Sequence, residues 1–273
     1  MPMLIAITLF IIGLALGSFV NALVWRLHEQ KKGKTGLSIL NGRSICPNCK
    51  HKLAWYHLVP VISWLTLSGK CRYCQKSISK QYPIVEIISG VVFAGSYFFW
   101  PETVNANGQW ILLATWLICS VGLLALAVYD LKWMLLPNKI IYPTLLAAFS
   151  GRLIYLLFFE SNPGHAVFLW ILSILISSGV FYALYVISNG KWIGFGDVRL
   201  GLITGTLLAD PQKAVAMIFI ASLIGTIIII PGLIKRDKNL TSRLPFGPFL
   251  IIATAIMVIF GDSLLNWYKG LIL

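Results

Sequence analysis

Apolar runs at about residues 3–25, 84–100, 109–129, 140–159, 166–188, 198–209, 214–234 and 246–268 leave this chain few ways to fold. Most reach the roughly 17 to 25 residues that a helix needs to cross the hydrocarbon core of a bilayer. With eight such runs, and 58% hydrophobic against 11% charged residues in a chain of 273, the expectation is an α-helical polytopic membrane protein with about eight transmembrane helices. The first run has no basic leader before it and exceeds the apolar core of a secretory signal, so it is expected to be retained as a span. Tryptophans at 25, 100, 110, 133, 192 and 267 flank the runs, as interfacial anchors do.

The formal charge of +13 is read through its distribution. Eleven of the 22 basic residues fall between Arg26 and Lys80, and eight more are Lys132, Lys139, Lys191, Arg199, Lys235, Arg236, Lys238 and Arg243. If the first span runs from outside to inside, all nineteen lie on one side, and the opposite loops carry chiefly Lys213 and Lys269. The positive-inside rule then places the N-terminus on the periplasmic side and the long 26–82 loop in the cytoplasm. Topology and anionic lipid account for the charge, so no nucleic-acid partner is expected, and the membrane lipid itself is.

The 26–82 loop alone has room for a separate unit. It holds Cys46, Cys49, Cys71 and Cys74 in a C-x2-C-x21-C-x2-C pattern, each pair followed four residues later by an aliphatic, Leu53 and Ile78. Two such matching knuckles predict a small cytoplasmic zinc-binding domain with four cysteine ligands. Disulfides or free thiols are the alternative, and a reducing compartment argues against the former. Four cysteines leave no open position on the metal, so its expected role is structural. His51 and His57 lie between the pairs and read as solvated loop residues. Cys119, alone inside the third run, reads as a small buried hydrophobe.

Nine acids remain to be placed. Glu102, Glu160 and Asp210 fall in expected outer loops, Glu29 and Asp237 have basic neighbours, and Asp262 lies near the end of the last run. Glu86, Asp130 and Asp197 stand at the cytoplasmic ends of spans, where a carboxylate is costly enough to be a functional candidate. Asp130 sits in "AVYDLKWMLLPN" and Asp197 in "GFGDVRL", 67 positions later but on the same side. Taken singly, Asp197 also reads as a first-turn acid and Asp130 as a partner of Lys132 or Lys139. Together they form a candidate dyad in which one carboxylate activates water and the other protonates the scissile amide, the chemistry of an aspartic protease. Gly194 and Gly196 would allow unusual dihedrals and close approach of a substrate backbone. The helix from Asp197 to Asp210 is only about 20 Å long. Against a core about 30 Å thick, it should draw Asp197 about 10 Å below the membrane surface.

These residues resemble those of the type IV prepilin peptidases, the bifunctional leader peptidase and N-methyltransferase family of bacterial inner membranes. The resemblance rests on "GSFVNALVWRL" at 17–27, both cysteine knuckles, "KCRYCQKSISKQYPIVE" at 70–86, the aspartate of "YDLKWMLLPN", "GFGDVRL", and "RLPFGPFL" at 243–250. It implies that Asp130 and Asp197 are the catalytic pair, cutting the short basic leader of prepilins or pseudopilins at the cytoplasmic face of the membrane. It also implies S-adenosylmethionine-dependent methylation of the new N-terminal residue. By the same resemblance Gly17, Ser18, Asn21, Arg26 and Glu86 are candidates for methyl transfer, since no Gly-x-Gly-x-x-Gly turn indicates a Rossmann-type donor site. Helix packing for Gly17 and Ser18, topology anchoring for Arg26 and ion pairing for Glu86 are the competing structural roles.

The expected organisation is a first transmembrane helix at 1–25, a zinc-binding domain at 26–82 implicated in N-methylation, and a seven-helix membrane aspartic peptidase domain at 83–273. The alternatives are a leader peptidase without methyltransferase activity, and a transporter whose Asp130, Asp197 and Arg152 line an ion or proton path. "RLPFGPFL" reads as a helix entrance, with Pro245 and Pro248 at turn and first-helical positions. Arg152, in the middle of the fourth run, has no assigned partner.

Overall fold

The computed structural model describes residues 2–33, 44–104, 108–234 and 245–272. Within them the protein is almost wholly helical. The elements are α1 (Pro2–Lys31), a 3-10 turn (Trp55–His57), α2 (Ile62–Thr66), α3 (Gln81–Phe98), α4 (Gln109–Trp133), α5 (Asn138–Phe158), α6 (Pro163–Ile187), α7 (Phe195–Leu208), α8 (Pro211–Ile234) and α9 (Gly247–Ile272). The basic residues Lys34, Arg43, Lys235, Arg236, Lys238 and Arg243, together with Asp237, lie outside the described residues.

Among the described residues six helices, α1, α4, α5, α6, α8 and α9, are long and apolar enough to cross a membrane. The expected eight is therefore not reached by length and composition. α3 has 18 residues, but Gln81, Glu86, Ser89 and Ser96 dilute its apolar character, and α7 stops after 14. The polarity pattern is inverted relative to a water-soluble domain. Large apolar side chains such as Ile11, Ile118, Leu146 and Phe219 face outward, while Asp130, Ser173, Thr204 and Thr254 are buried. Hydrocarbon has no use for exposed polar groups, so helices in it turn them toward one another.

The chain divides into two compact units, Met1–Phe98 and Phe99–Leu273. The first unit takes in α1, the cysteine segment and α3, because α1 and α3 pack closely on each other. The cause is a seam of small residues. A Cβ on Gly13 would lie 2.7 Å from Cα of Gly90, and one on Gly17 2.7 Å from Cα of Glu86. Asn21 ties the same seam: its Nδ2 donates to the Tyr82 carbonyl at 3.1 Å and its Oδ1 accepts from Gln81 Nε2 at 3.0 Å. Polar pairs of this kind hold helices together where hydrophobic contrast is absent.

In the second unit the short α7 is held against α6 in the same manner. A Cβ on Gly201 would lie 2.6 Å from the Ser177 carbonyl oxygen, and one on Gly205 2.7 Å from Cα of Ile174. Ser173 and Ser178 donate to the Gly205 and Val198 carbonyls, each at 2.9 Å. α7 ends at Ala209 in the left-handed conformation, and Asp210 caps α8 by accepting from the backbone N–H groups of Gln212 and Lys213 at 2.7 and 3.2 Å.

Candidate active site and metal centre

In the first unit the cysteines converge. All four Sγ atoms lie within 4.8 Å of one another, with Cys46 and Cys74 at 3.9 Å. Tetrahedral thiolates about 2.3 Å from a zinc ion stand about 3.8 Å apart, whereas a disulfide needs a bond near 2.05 Å. The cluster has the size for a metal, and its cysteines are free of disulfides.

Each half is the same backbone device. Cys46 N–H donates to the His51 carbonyl at 3.0 Å and Lys50 N–H to the Cys46 carbonyl at 2.9 Å; Cys71 N–H donates to Lys76 and Gln75 N–H to Cys71, both at 2.9 Å. Lys50 and Gln75, each directly after the second cysteine of its pair, take φ values of 57° and 54°. Antiparallel bridges Ile45 to Lys52 and Lys70 to Ser77 close the two turns. Backbone N–H groups of Cys74 and Tyr73 lower the Cys71 thiol to about 7, whereas Cys49, despite its backbone hydrogen bond at His51, is pushed up to about 11 by desolvation and the neighbouring Cys46 and Cys74 thiols.

Beside the cluster lies a cavity of about 310 Å³ within the same unit. Ser18, Arg26 and Glu86 line it, together with Cys46, Trp64 and Tyr82. Glu86 is fixed there: it accepts from the Val61 backbone N–H at 2.7 Å and from the Ser18 hydroxyl. Val61 takes φ 61° to present that N–H at the start of α2. Of the five residues expected to serve methyl transfer, three therefore meet at the cavity. Gly17 and Asn21 lie in the α1–α3 seam, where the glycine lets two backbones touch and the amide bridges the helices.

In the second unit Asp130 occupies the last turn of α4 and Asp197 the first turn of α7. They lie close enough for the charge of one to act on the other. Asp130 is 5% exposed, and its Oδ2 accepts from the Gly247 backbone N–H at the start of α9, at 3.2 Å. Asp197 is half-buried, with its own N–H donating to the Gly194 carbonyl at 3.0 Å.

The glycines of "GFGD" differ from expectation in one respect. Gly194 is extended (φ −77°, ψ 147°), and neither it nor Gly196 is left-handed; Asn189 and Gly190 make that turn instead. What the two glycines supply is space. A Cβ on Gly194 would stand 3.7 Å from Asp197 Oδ2, in front of the carboxylate, and one on Gly196 would press on Leu136 at 3.1 Å.

Sequence reasoning assigned no role to Leu136 or Gly247. Leu136 reaches between the starts of α7 and α9, since a Cβ on Gly247 would also meet it, at 3.5 Å. Asn138 accepts from Arg199, whose guanidinium lies 4.7 Å from the Phe195 ring centroid, and so joins the start of α5 to α7. Both residues fall inside stretches singled out in the sequence, "YDLKWMLLPN" and "RLPFGPFL", but spacing alone carries no sign that Gly247 meets Asp130 117 positions away.

Fold and site together define a helical membrane protein with a paired-carboxylate centre in one unit and a four-cysteine cluster beside a cavity in the other. Comparison with known proteins gives the family. Residues 11–100 match the bacterial peptidase A24 N-terminal domain and residues 116–230 the type IV leader peptidase family. Prepilin leader peptidase/N-methyltransferases from Aeromonas salmonicida and Pseudomonas aeruginosa are 30% and 28% identical, over 100% and 98% of this chain and 97% and 94% of their own lengths. The relative from Vibrio cholerae is 31% identical over 90% of this chain and 93% of its own. No solved structure matches. The chain belongs to the prepilin leader peptidase/N-methyltransferase family.

Proposed function

We propose that the protein removes the leader of type IV prepilins and pseudopilins with Asp130 and Asp197 and then methylates the exposed N-terminal residue. Membership of the family makes the chain a membrane peptidase with N-methyltransferase activity. The observation that carries the assignment of residues is the meeting of the two carboxylates at the ends of α4 and α7. One carboxylate deprotonates a water held between them, and the other donates a proton to the leaving amine. The N–H of Gly247 holds Asp130 in place, and the bare face of Gly194 leaves room for a peptide backbone beside Asp197.

In this reading eight helices cross the inner membrane, with α3 and α7 completing the six, the cysteine segment cytoplasmic and the N-terminus periplasmic. The short α7, about 21 Å long, leaves Asp197 recessed from the surface. Cys46, Cys49, Cys71 and Cys74 hold a structural zinc ion, which closes the two knuckles and contributes on the order of 10 kcal/mol to a segment with little core of its own. The adjoining cavity suits S-adenosylmethionine: Arg26 faces a carboxylate, Glu86 a sulfonium or ammonium charge, and Trp64 and Tyr82 the flat adenine. Bound there, the donor supplies an electrophilic methyl group, and the residues of the cavity orient the amine toward it.

The test is incubation of the purified protein with a peptide carrying a basic leader, a glycine and an apolar helix, with and without S-adenosylmethionine. Cleavage should vanish in Asp130→Asn and Asp197→Asn, while methylation of a pre-cut peptide persists. Undiminished cleavage in both variants rejects the dyad.

A further inference from the structure

The second unit contains a charged cavity that peptide cleavage does not use. It measures about 150 Å³, below the roughly 300 Å³ at which sites for drug-sized ligands begin. Its lining comes from the helix ends remote from Asp130: Glu102 before α4, Arg152 in α5, Lys213 in the first turn of α8 and Asp262 in α9. Along α4, Trp116 at this cavity lies about 21 Å from Asp130.

Most of these groups have partners. Glu102 accepts from Gln109 Nε2 at 2.7 Å, and Lys213 pairs with Asp262 at 2.8 Å. Arg152 is only partly satisfied, with Glu160 acting on it through charge. Its guanidinium stands 5.4 Å from the Tyr155 ring centroid, and its Nε is buried without a hydrogen-bond partner among the described residues. A guanidinium offers donors in a planar fork that fits two oxygens of a phosphate. A buried guanidinium nitrogen without an acceptor is costly, and no described residue supplies one to Nε, which leaves that donor open to a bound ligand.

From this arrangement we infer that the cavity is a binding site for the headgroup of a zwitterionic phospholipid carrying a primary ammonium. The phosphate is held by Arg152 and Lys213, and the ammonium is received by Glu102 and Asp262. Charge balance selects this headgroup. The cavity presents two cations and two carboxylates, so a purely anionic headgroup would bring its excess negative charge against Glu102 and Asp262. Position agrees: Arg152 lies about 9 Å from the end of α5, within reach of the interfacial layer. Exposed apolar side chains at the same helix ends, Phe158 and Val215 among them, offer the acyl chains a surface. Arg152, unexplained by the sequence, thereby acquires a partner.

The experiment is native mass spectrometry of the full-length protein after exchange into equal mixtures of ethanolamine, choline and glycerol phospholipids with identical acyl chains. The wild type should retain one ethanolamine phospholipid in preference to both others. Arg152→Ala should lower that retention by about tenfold, the effect of losing one charge-assisted hydrogen bond. Arg152→Lys should keep part of it, and Glu102→Gln should abolish the preference for ethanolamine over choline. Peptidase activity and metal content, read on the same samples, certify that each variant is folded. The proposal falls if folded Arg152→Ala retains the lipid as the wild type does, or if the wild type prefers the glycerol headgroup. It falls equally if millimolar inorganic phosphate displaces the lipid, since the site would then serve free phosphate.

Discussion

In the first unit four thiols are gathered by two short turns, each built from a C-x2-C pair, a left-handed residue directly after it and one antiparallel bridge. In the second unit two carboxylates 67 positions apart are gathered by six helices, and no local turn relates them. The first arrangement depends on local backbone geometry and, in the proposed reading, on a metal. The second depends on where small residues let helices touch, as Gly201 and Gly205 do against α6. The two units should therefore fail in different ways when single residues are changed.

The largest separation is expected at the carboxylates. Asp197→Asn or Asp130→Asn keeps size and packing but removes the acid–base function, and cleavage of a leader peptide should fall by about 1,000-fold or more. Methylation of a peptide supplied already cut should stay within about twofold of wild type if the two units work by separate chemistry. A comparable loss of both activities would break the division.

Next in size is the metal. Cys71→Ser should remove the single equivalent of zinc measured by elemental analysis and, with it, the order of both knuckles, because the metal contributes on the order of 10 kcal/mol. Methyl transfer should be lost, since Cys46 and the second knuckle line the cavity that also holds Arg26 and Glu86. Leader cleavage should persist, reduced by less than about tenfold. Full retention of zinc would show that the cluster is not its site.

How far each unit is legible in the sequence follows from the same contrast. The four cysteines and their metal-sized grouping could be read from spacing, because a turn of fixed length determines the geometry. Asp130 and Asp197 could be singled out because carboxylates at span ends are rare, but their meeting rested on topology and resemblance. Leu136 and Gly247 could not be found at all. Their roles depend on α9 returning to the end of α4, which no periodicity encodes. For Gly17 and Asn21 the sequence leaves two roles open, because a small residue at a helix seam and one at a ligand site look the same until the facing helix is known. Six of the eight runs pass as spans by length and composition; α3 and α7 do not, since α3 carries Gln81, Glu86, Ser89 and Ser96 and α7 has only 14 residues.

Gly247→Ala probes one of those unread contacts. Its Cβ would lie 2.7 Å from Asp130 Oδ2, so the carboxylate must move away from the N–H that holds it. The loss of a charge-assisted bond, about 1.5 to 3 kcal/mol, should appear as a fall of about 10- to 100-fold in kcat, with KM changed by less than about twofold. A rise in KM at constant kcat would instead assign Gly247 to substrate binding.

The smallest effect is expected from Gly17→Ala, and here the measurement is stability. The added Cβ meets Cα of Glu86 at 2.7 Å and the Val85 carbonyl oxygen at 2.9 Å, atoms of the main chain that cannot rotate aside. α1 and α3 must separate slightly, at a cost of about 1 to 3 kcal/mol, the usual range for overpacking a close contact. Thermal unfolding should begin earlier in the first unit. Methyl transfer should decline only as far as Glu86 shifts from the Val61 N–H that fixes it, whereas leader cleavage should be unaffected. Ser18→Ala offers the control, because it removes one hydroxyl from Glu86 without crowding the seam. A larger loss of methyl transfer in Ser18→Ala than in Gly17→Ala would place the sensitivity in the cavity rather than in the helix packing that shapes it.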